Sequence, residues 1–270
     1  MEKKFIDIDT IFKNKNPKAY KWTPKFLVKY LKKIVHQEEV NDFMSRNRQK
    51  VGIDFCKQVI DEFNIKIKVK GIENVPAEGG CIFASNHPLG GLDAMAVVTE
   101  ISKIRTDIHF IVNDILLNLT NLQGLFVGVN KVGKNAMESL RAVDELFASE
   151  KAVFIFPAGL VSRKQKGIIK DLEWKKTFIT RAKKYKKNIV PVYISGKLSK
   201  FFYRLANIRK LLGIKANIEM LYLADELYKQ KNTTIEIIFG NPISPDTFDK
   251  SKKDEEWAEW MKEQTYKLKS

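Results

Sequence analysis

The sequence predicts an α/β fold: a mainly parallel central sheet flanked by helices, with an amphipathic helical segment at the N-terminus. Three observations predict it. Short runs rich in Val, Ile and Phe alternate with helix-periodic segments between residues 65 and 240, the order that builds βαβ units. Most of those runs are continuously apolar, as expected of strands covered on both faces. The 270 residues, 44% of them apolar, suffice for one large α/β domain or two small ones.

Residues 1–64 read as a helical segment that packs on the core or on a membrane surface. Within it, "PKFLVKYLKKIVHQEEVNDFM" (24–44) opens on a proline suited to the first helical position. Phe26, Tyr30 and Ile34 recur at i, i+4 and i+8, with Leu27 and Leu31 beside them. Lys25, Lys29, Lys32 and Lys33 fall largely off that stripe. Such a helix either lies on an anionic bilayer or packs its stripe onto its own domain. A second helix is expected near 52–63.

An α/β domain follows over 65–270. "IKIKVKG" (65–71) alternates strictly and reads as an edge or half-exposed strand. "GCIFASN" (80–86) reads as a buried strand, and "LDAMAVVTEISKI" (92–104) as a helix. Further strands are expected at 108–113, 124–130, 152–157, 188–195 and 233–240, with helices near 135–149, 172–187, 198–212 and 218–230. A lysine-rich helix near 253–268 packs through Trp257 and Trp260. There is no internal repeat, low-complexity segment or evident linker.

With 48 basic against 32 acidic residues the chain carries +16, which favours an anionic partner: nucleic acid, a membrane surface, an acidic carrier protein or a phosphorylated small molecule. A solvated lysine surface accounts for the same number. Cys56 and Cys81 both sit in apolar settings and read as buried, reduced thiols of a cytoplasmic protein. With His36, His87 and His109 scattered singly, no metal site is expected. "MEKKFIDIDTIFKNKNPKAY" lacks the apolar stretch of a signal peptide, and no window approaches 18 uninterrupted apolar residues.

The stretch "FASNHPLGGLDAMAVV" (83–98) carries the chemistry. Pro88 keeps His87 extended at a strand end. Gly90 and Gly91 permit a sharp turn, and Asp93 falls at the start of the next helix. A carboxylate on one ring nitrogen fixes the tautomer and stabilises the imidazolium, leaving the other nitrogen to deprotonate a hydroxyl. Such a pair can activate an acceptor alcohol for attack on an acyl donor. The same residues also fit a first-turn acid and an interior histidine, and this stretch alone does not choose. Three further strand ends feed loops of similar design. "VFIFPAGLVSRKQKG" (153–167) leads to Ser162, Arg163, Lys164 and Lys166, a basic cluster able to clamp phosphate or carboxylate. "GVNKVGKN" (128–135) carries Lys131 and Lys134 among glycines, and "IVPVYISG" (189–196) ends on a glycine. Loops on one edge of an α/β sheet are where ligands bind.

In this order, "NHPLGGLD", "FVGVNKVG", "FPAGLVSR" and "IVPVYISG" resemble the four blocks of the glycerolipid, or lysophosphatidic acid, acyltransferase superfamily. The likeness is nearer to its hemolysin-like branch, related to bacterial ornithine-lipid and glycine-lipid O-acyltransferases. "DLEWKKTFI" (171–179) and residues 201–230 also look like that branch, so the resemblance covers about 65–240. It implies His87 as general base with Asp93 as its partner. It implies Asn130 and Lys131, and Gly159 and Arg163, as acceptor-binding positions, to which the basic turn itself adds Ser162 and Lys164, and Pro191 as a packing residue near the acyl donor. Two departures stand out. Five residues separate His87 from Asp93 where the family usually has four, and Ala158 stands where a glutamate is usual. The second weakens a glycerol-phosphate acceptor, while Arg163 and Lys164 remain for an anionic head group such as an amino-acid carboxylate.

The expected protein is therefore an O-acyltransferase of membrane lipid biosynthesis. It moves a fatty acyl group from acyl carrier protein or coenzyme A to a lysolipid hydroxyl, without metal or bound cofactor. Amides of the "NHPLGG" turn are expected to hold the oxyanion. No Ser or Cys flanks His87 as a nucleophile. The helix 198–212 mixes Phe201, Phe202 and Leu205 with Lys200, Arg204, Arg209 and Lys210, which suits a lipid interface. The expected location is cytoplasmic, peripheral on the inner face of the cell membrane. The rivals are a basic nucleic-acid-binding module, for which no helix-turn-helix, zinc-finger or RNP pattern is present, and a lytic toxin, which the lack of a signal peptide or spanning segment opposes.

Overall fold

The computed structural model describes residues 4–113, 119–129 and 136–269. The chain divides into two compact units, one of Val51–Leu198 with Lys231–Ser270 and one of Met1–Lys50 with Ser199–Gln230.

The first unit holds the sheet. Its strands are β1 (Lys66–Lys70), β2 (Cys81–Ser85), β3 (Ile108–Asn113), β4 (Phe126–Val129), β5 (Ala152–Ile155), β6 (Arg163–Gln165), β7 (Ile168–Lys170), β8 (Asn188–Ile194) and β9 (Thr234–Phe239). Seven of them form one sheet in the order β1-β9-β8-β2-β5-β3-β4. Strands β8, β2, β5, β3 and β4 run parallel, and β9 pairs antiparallel with β8 while β1 runs with β9. The fold is thus the expected mainly parallel sheet. Its central strand β2 is buried at every position, as the unbroken "CIFAS" run requires. Edge strand β1 alternates exposed and half-buried residues, matching its alternating sequence.

The helices of this unit are named here by their place in the whole chain: α5 (Gly52–Glu62), α6 (Gly91–Ile101), α7 (Ala136–Ala148), α8 (Thr177–Tyr185) and α11 (Asp254–Lys267). Helices α7, α8 and α11 cover one face of the sheet. Val143, Phe147, Phe178, Ile179, Trp257 and Met261 meet Ile82, Val153 and Ile189 in one buried cluster, with Trp260 packed at its border. Full burial of such aromatic and aliphatic side chains contributes roughly 1.5–3 kcal/mol each.

The second unit is helical: α1 (Ile8–Lys15), α2 (Pro17–Trp22), α3 (Lys25–Ile34), α4 (Gln37–Arg46), α9 (Lys200–Leu211) and α10 (Leu223–Tyr228). The expected single helix over 24–44 is two. His36 breaks it by adopting a left-handed backbone (φ 50°), its ring stacked 3.9 Å from Tyr228 and its Nε2 3.2 Å from Asp225 Oδ1. Two helices precede it that periodicity did not reveal. Asp7 caps α1, and Asn16 caps α2 ahead of Pro17. Of the expected apolar stripe of α3 only Ile34 is buried, Phe26, Leu27 and Tyr30 are exposed, and Val28, off the stripe, is buried instead. The segment 218–230 begins as a 3-10 turn before α10, and α8 starts later than its sequence expectation. Residues 163–170, expected as a loop, form the β6–β7 hairpin, turned through Lys166 and Gly167, both with positive φ. Among the described residues, no helix is long and apolar enough to cross a membrane.

Candidate active site

The site is built on the loop that leaves the C-terminal end of central strand β2. The Asn86 side chain fixes the start of this loop by pairing with the Ile194 backbone, donating to its carbonyl at 2.8 Å and accepting from its amide at 2.7 Å. His87 follows. Its main chain is held at both polar atoms: the amide donates to Asp171 Oδ1 (3.2 Å), and the carbonyl accepts from the Ser162 amide (2.8 Å). Gly90 then adopts φ 75°, ψ −137°, a conformation essentially reserved for glycine, and α6 begins at the next residue.

That turn carries Asp93 beneath the imidazole. His87 Nδ1 lies 2.9 Å from Asp93 Oδ2, and the same oxygen accepts from the Leu89 amide at 2.8 Å. The extra residue between His87 and Asp93 is absorbed by the glycine conformation, and the pair closes to ordinary hydrogen-bond distance. Asp93 is fully buried, while the His87 side chain keeps a small exposed fraction. Among the described residues, Asp93 Oδ1 has no hydrogen-bond partner. Burial pushes the Asp93 carboxyl above its ordinary range, opposed by the His87 bond and the Leu89 amide. With Nδ1 facing the Asp93 carboxyl, Nε2 is the ring atom left free of that contact and able to exchange a proton. Phe156 stacks on the imidazole with centroids 4.0 Å apart and planes 22° apart, fixing the ring plane.

Glycine at 196 is explained by the same loop. A Cβ there would lie 2.7 Å from Leu89 Cδ2, and the position, two residues past β8, has φ 135°, so a side chain would both strain the backbone and press on the His87 turn. Ala158, in the place of the usual glutamate, is buried in the core cluster and offers no polar group.

The other expected residues fall into distinct situations. The Ser162 side chain is buried and its hydroxyl donates at 2.6 Å to Asp171 Oδ1, the oxygen that also accepts from the His87 amide. Arg163 is also buried, with Nη1 donating to the Val161 carbonyl at 2.6 Å. Lys164 and Gly159 are exposed, and Gly159 has a positive φ (66°). Pro191 is buried in β8 opposite Ala84. Asn130 and Lys131 lie outside the described residues. Cys56 and Cys81 are buried and unbridged, their thiols pushed by burial to about 12 and about 11. Among the described residues, no group of three His, Cys, Asp or Glu side chains could hold a metal.

Sequence reasoning missed Asp171. This buried carboxylate accepts from the His87 amide, the Ser162 hydroxyl and, at 2.9 Å, Trp174 Nε1. Its own amide donates to the Tyr266 hydroxyl at 2.8 Å. Burial, and then the Asp171 charge, push that phenol's titration well up. The available signal was "DLEW": an Asp and a Trp three residues apart, each polar enough to require a partner when buried.

A family model described as acyltransferase matches residues 10–270. The chain belongs to the acyltransferase family. It is 49% identical, over 97% of its length and 97% of the relative's, to the lyso-glycine lipid O-acyltransferase of Bacteroides thetaiotaomicron. It is 46% identical to the lyso-glycine lipid O-acyltransferase of Phocaeicola vulgatus, covering 97% of this chain and 95% of that one. The fold is similar to the crystal structure of the 1-acyl-sn-glycerophosphate acyltransferase of Thermotoga maritima. The TM-score there is 0.53 at 20% identity, covering 81% of this chain and 78% of the other. The protein is an acyltransferase enzyme, as its four sequence blocks implied.

Proposed function

We propose that this acyltransferase esterifies a lyso-glycine lipid, taking the acyl group from a thioester of acyl carrier protein or coenzyme A, with His87 as general base. The observation that carries the chemistry is the 2.9 Å contact between His87 Nδ1 and a fully buried Asp93. The near-full-length likeness to two lyso-glycine lipid O-acyltransferases supports the acceptor.

In this reading His87 Nε2 takes the acceptor hydroxyl proton as that oxygen attacks the thioester carbonyl. Asp93 holds the Nδ1–H tautomer and balances the imidazolium. Collapse of the tetrahedral intermediate breaks the carbon–sulfur bond, and the departing thiolate takes the proton back from Nε2. Ester and free thiol are the products. The Leu89 amide is committed to Asp93, so the turn's donors for the oxyanion are the Gly90 and Gly91 amides. Buried thiols held far above neutral pH favour direct transfer over a cysteine-linked intermediate. Exposed Lys164 on the β6–β7 hairpin is the group proposed to meet the acceptor's carboxylate.

The helical unit is proposed to rest on an anionic bilayer on the cytoplasmic side. Trp22 and Leu211 are each 85% exposed and Phe26 70%, on a chain of net charge +16. The test is transfer of labelled acyl groups from acyl carrier protein and from coenzyme A to lyso-glycine lipid, lyso-ornithine lipid and lysophosphatidic acid. Ester formation fastest on lyso-glycine lipid supports the proposal. A clear preference for lysophosphatidic acid refutes the acceptor assignment.

A further inference from the structure

We infer that the helical unit contains a binding cavity for a lipid phosphate, lined by none of the residues of the His87 centre. Residues of α1, α2 and α3 line an open cavity of about 450 Å³, within the roughly 300–1,000 Å³ of small-molecule sites. Four lysines line it: Lys21 from α2, and Lys25, Lys29 and Lys32 from α3. The last three follow one another at four- and three-residue steps, so they share one helix face. The cavity's single acid is Asp9, already engaged by Lys32 and by the Tyr20 hydroxyl at 2.6 Å. Those two donors hold the Asp9 carboxyl below its ordinary range. Among the described residues, Lys21, Lys25 and Lys29 have no acidic partner.

Like charges at i and i+4 destabilise a helix, and here three unmatched ammonium groups share one concave space. A bound dianion relieves that repulsion. A phosphate monoester, with a charge near −1.5 to −2 at neutral pH and three acceptor oxygens, matches several ammonium donors better than a single carboxylate does. Thr23 also lines the cavity, and its hydroxyl, which donates to the Ala19 carbonyl at 2.7 Å, keeps acceptor capacity only. The donors at the mouth are therefore ammonium groups. Trp22 and Phe26, adjoining Lys21 and Lys25 in sequence, are among the most exposed apolar residues of the chain. Apolar side chains beside a phosphate cavity suit a phosphate that comes attached to acyl chains.

The assignment to a lipid source rests on the bilayer contact proposed above; the phosphate chemistry does not. The test is vesicle flotation of the full-length protein. Phosphatidylcholine vesicles containing phosphatidic acid are compared with vesicles brought to the same surface potential with oleate. The expected result is about tenfold tighter binding to the phosphatidic acid vesicles, as charge-assisted bonds to one headgroup would give. The triple variant Lys21→Gln/Lys25→Gln/Lys29→Gln is expected to lose that preference. A variant of equal charge in the same unit, Lys18→Gln/Lys33→Gln/Lys215→Gln, is expected to keep it. Equal binding to both vesicle types, or equal loss of the preference in both variants, overturns the cavity while leaving bilayer contact intact. No flotation on either vesicle overturns the bilayer reading. A preference for phosphatidic acid vesicles that survives in the triple variant, with inorganic phosphate failing to compete, likewise overturns the cavity.

Discussion

Two tryptophans mark the contrast between the units. Trp174 in the sheet unit is 1% exposed and donates its indole N–H to Asp171, while Trp22 in the helical unit is 85% exposed. Buried carboxylates differ as well. Glu226 in the helical unit accepts from the Ser199 amide, the Ser199 hydroxyl at 2.6 Å and Lys229 at 2.8 Å. Asp93 in the sheet unit is as deeply buried, yet one of its oxygens has no partner among the described residues. Leaving a buried acceptor unpaired costs about 1–3 kcal/mol. The proposed role of Asp93 in balancing an imidazolium gives that cost a reason. The helical unit gives its fully buried acids cationic partners, Lys229 for Glu226 and Arg209 for Glu219, and places its apolar surplus outside. On the proposed function, one unit concentrates chemistry and the other concentrates contact.

The largest effect that would sharpen this comparison comes from Asp93→Asn. The amide oxygen can still accept from His87 and Leu89, but no negative charge balances the imidazolium. Activity is expected to fall by roughly 10²–10⁴, the range for loss of general-base function. Stability moves the other way. The folded Asp93 carboxyl titrates above its ordinary value of 3.8, so the folded state holds this proton more tightly than the unfolded chain. The carboxylate's cost sets in as pH rises through 3.8 towards the folded value and persists above it. Asp93→Asn should therefore unfold no lower than wild type at pH 7, with its relative advantage shrinking towards pH 4, as melting curves across that range would register. A sharp drop in melting temperature at pH 7 would make Asp93 a structural acid.

Next comes Gly90→Val. A β-branched residue at φ 75°, ψ −137° is strained by about 1–3 kcal/mol, and relief of that strain moves Asp93 away from the ring. Expected are a lower melting temperature and a loss in kcat that exceeds any change in KM. Wild-type kinetics would show that the turn does not set the His87–Asp93 geometry. Smaller again is Asp171→Asn. It weakens the bonds from the His87 amide, Ser162 and Trp174, at about 1–3 kcal/mol, and should lower kcat about tenfold because the loop carrying His87 loses an anchor. Loss of stability with unchanged kcat would reduce Asp171 to a packing role. The smallest effect on chemistry belongs to the other unit. Trp22→Ala with Leu211→Ala should weaken vesicle binding about tenfold through lost apolar contact, yet leave turnover on detergent-dispersed substrate within about twofold. Equal losses in both assays would break the division between the units.

The same contrast explains what was legible in the sequence. Strands such as "CIFAS" and "AVFI" announce themselves because a strand covered on both faces must be apolar throughout. The closeness of His87 to Asp93 was legible because Pro88 holds His87 extended and two glycines permit the sharp turn between them, while their roles were implied by the family resemblance alone. Asp171 was not, because its role depends on three donors brought from positions 87, 162 and 174 by tertiary folding. Ser162 and Arg163 sit in a basic loop that reads as exposed, yet their side chains turn inward in a hairpin whose strands are too short to show a period. The two N-terminal helices are short and set by caps, and the break at His36 comes from a stack with Tyr228, nearly two hundred residues away.

The measurement that tests the central claim most directly is acyl transfer to lyso-glycine lipid by wild type and His87→Ala, with folding of both checked by circular dichroism and melting. The His87–Asp93 account predicts a folded variant whose turnover falls by about 10²–10⁴. A folded His87→Ala enzyme that transfers acyl groups at the wild-type rate would contradict it and place the base elsewhere.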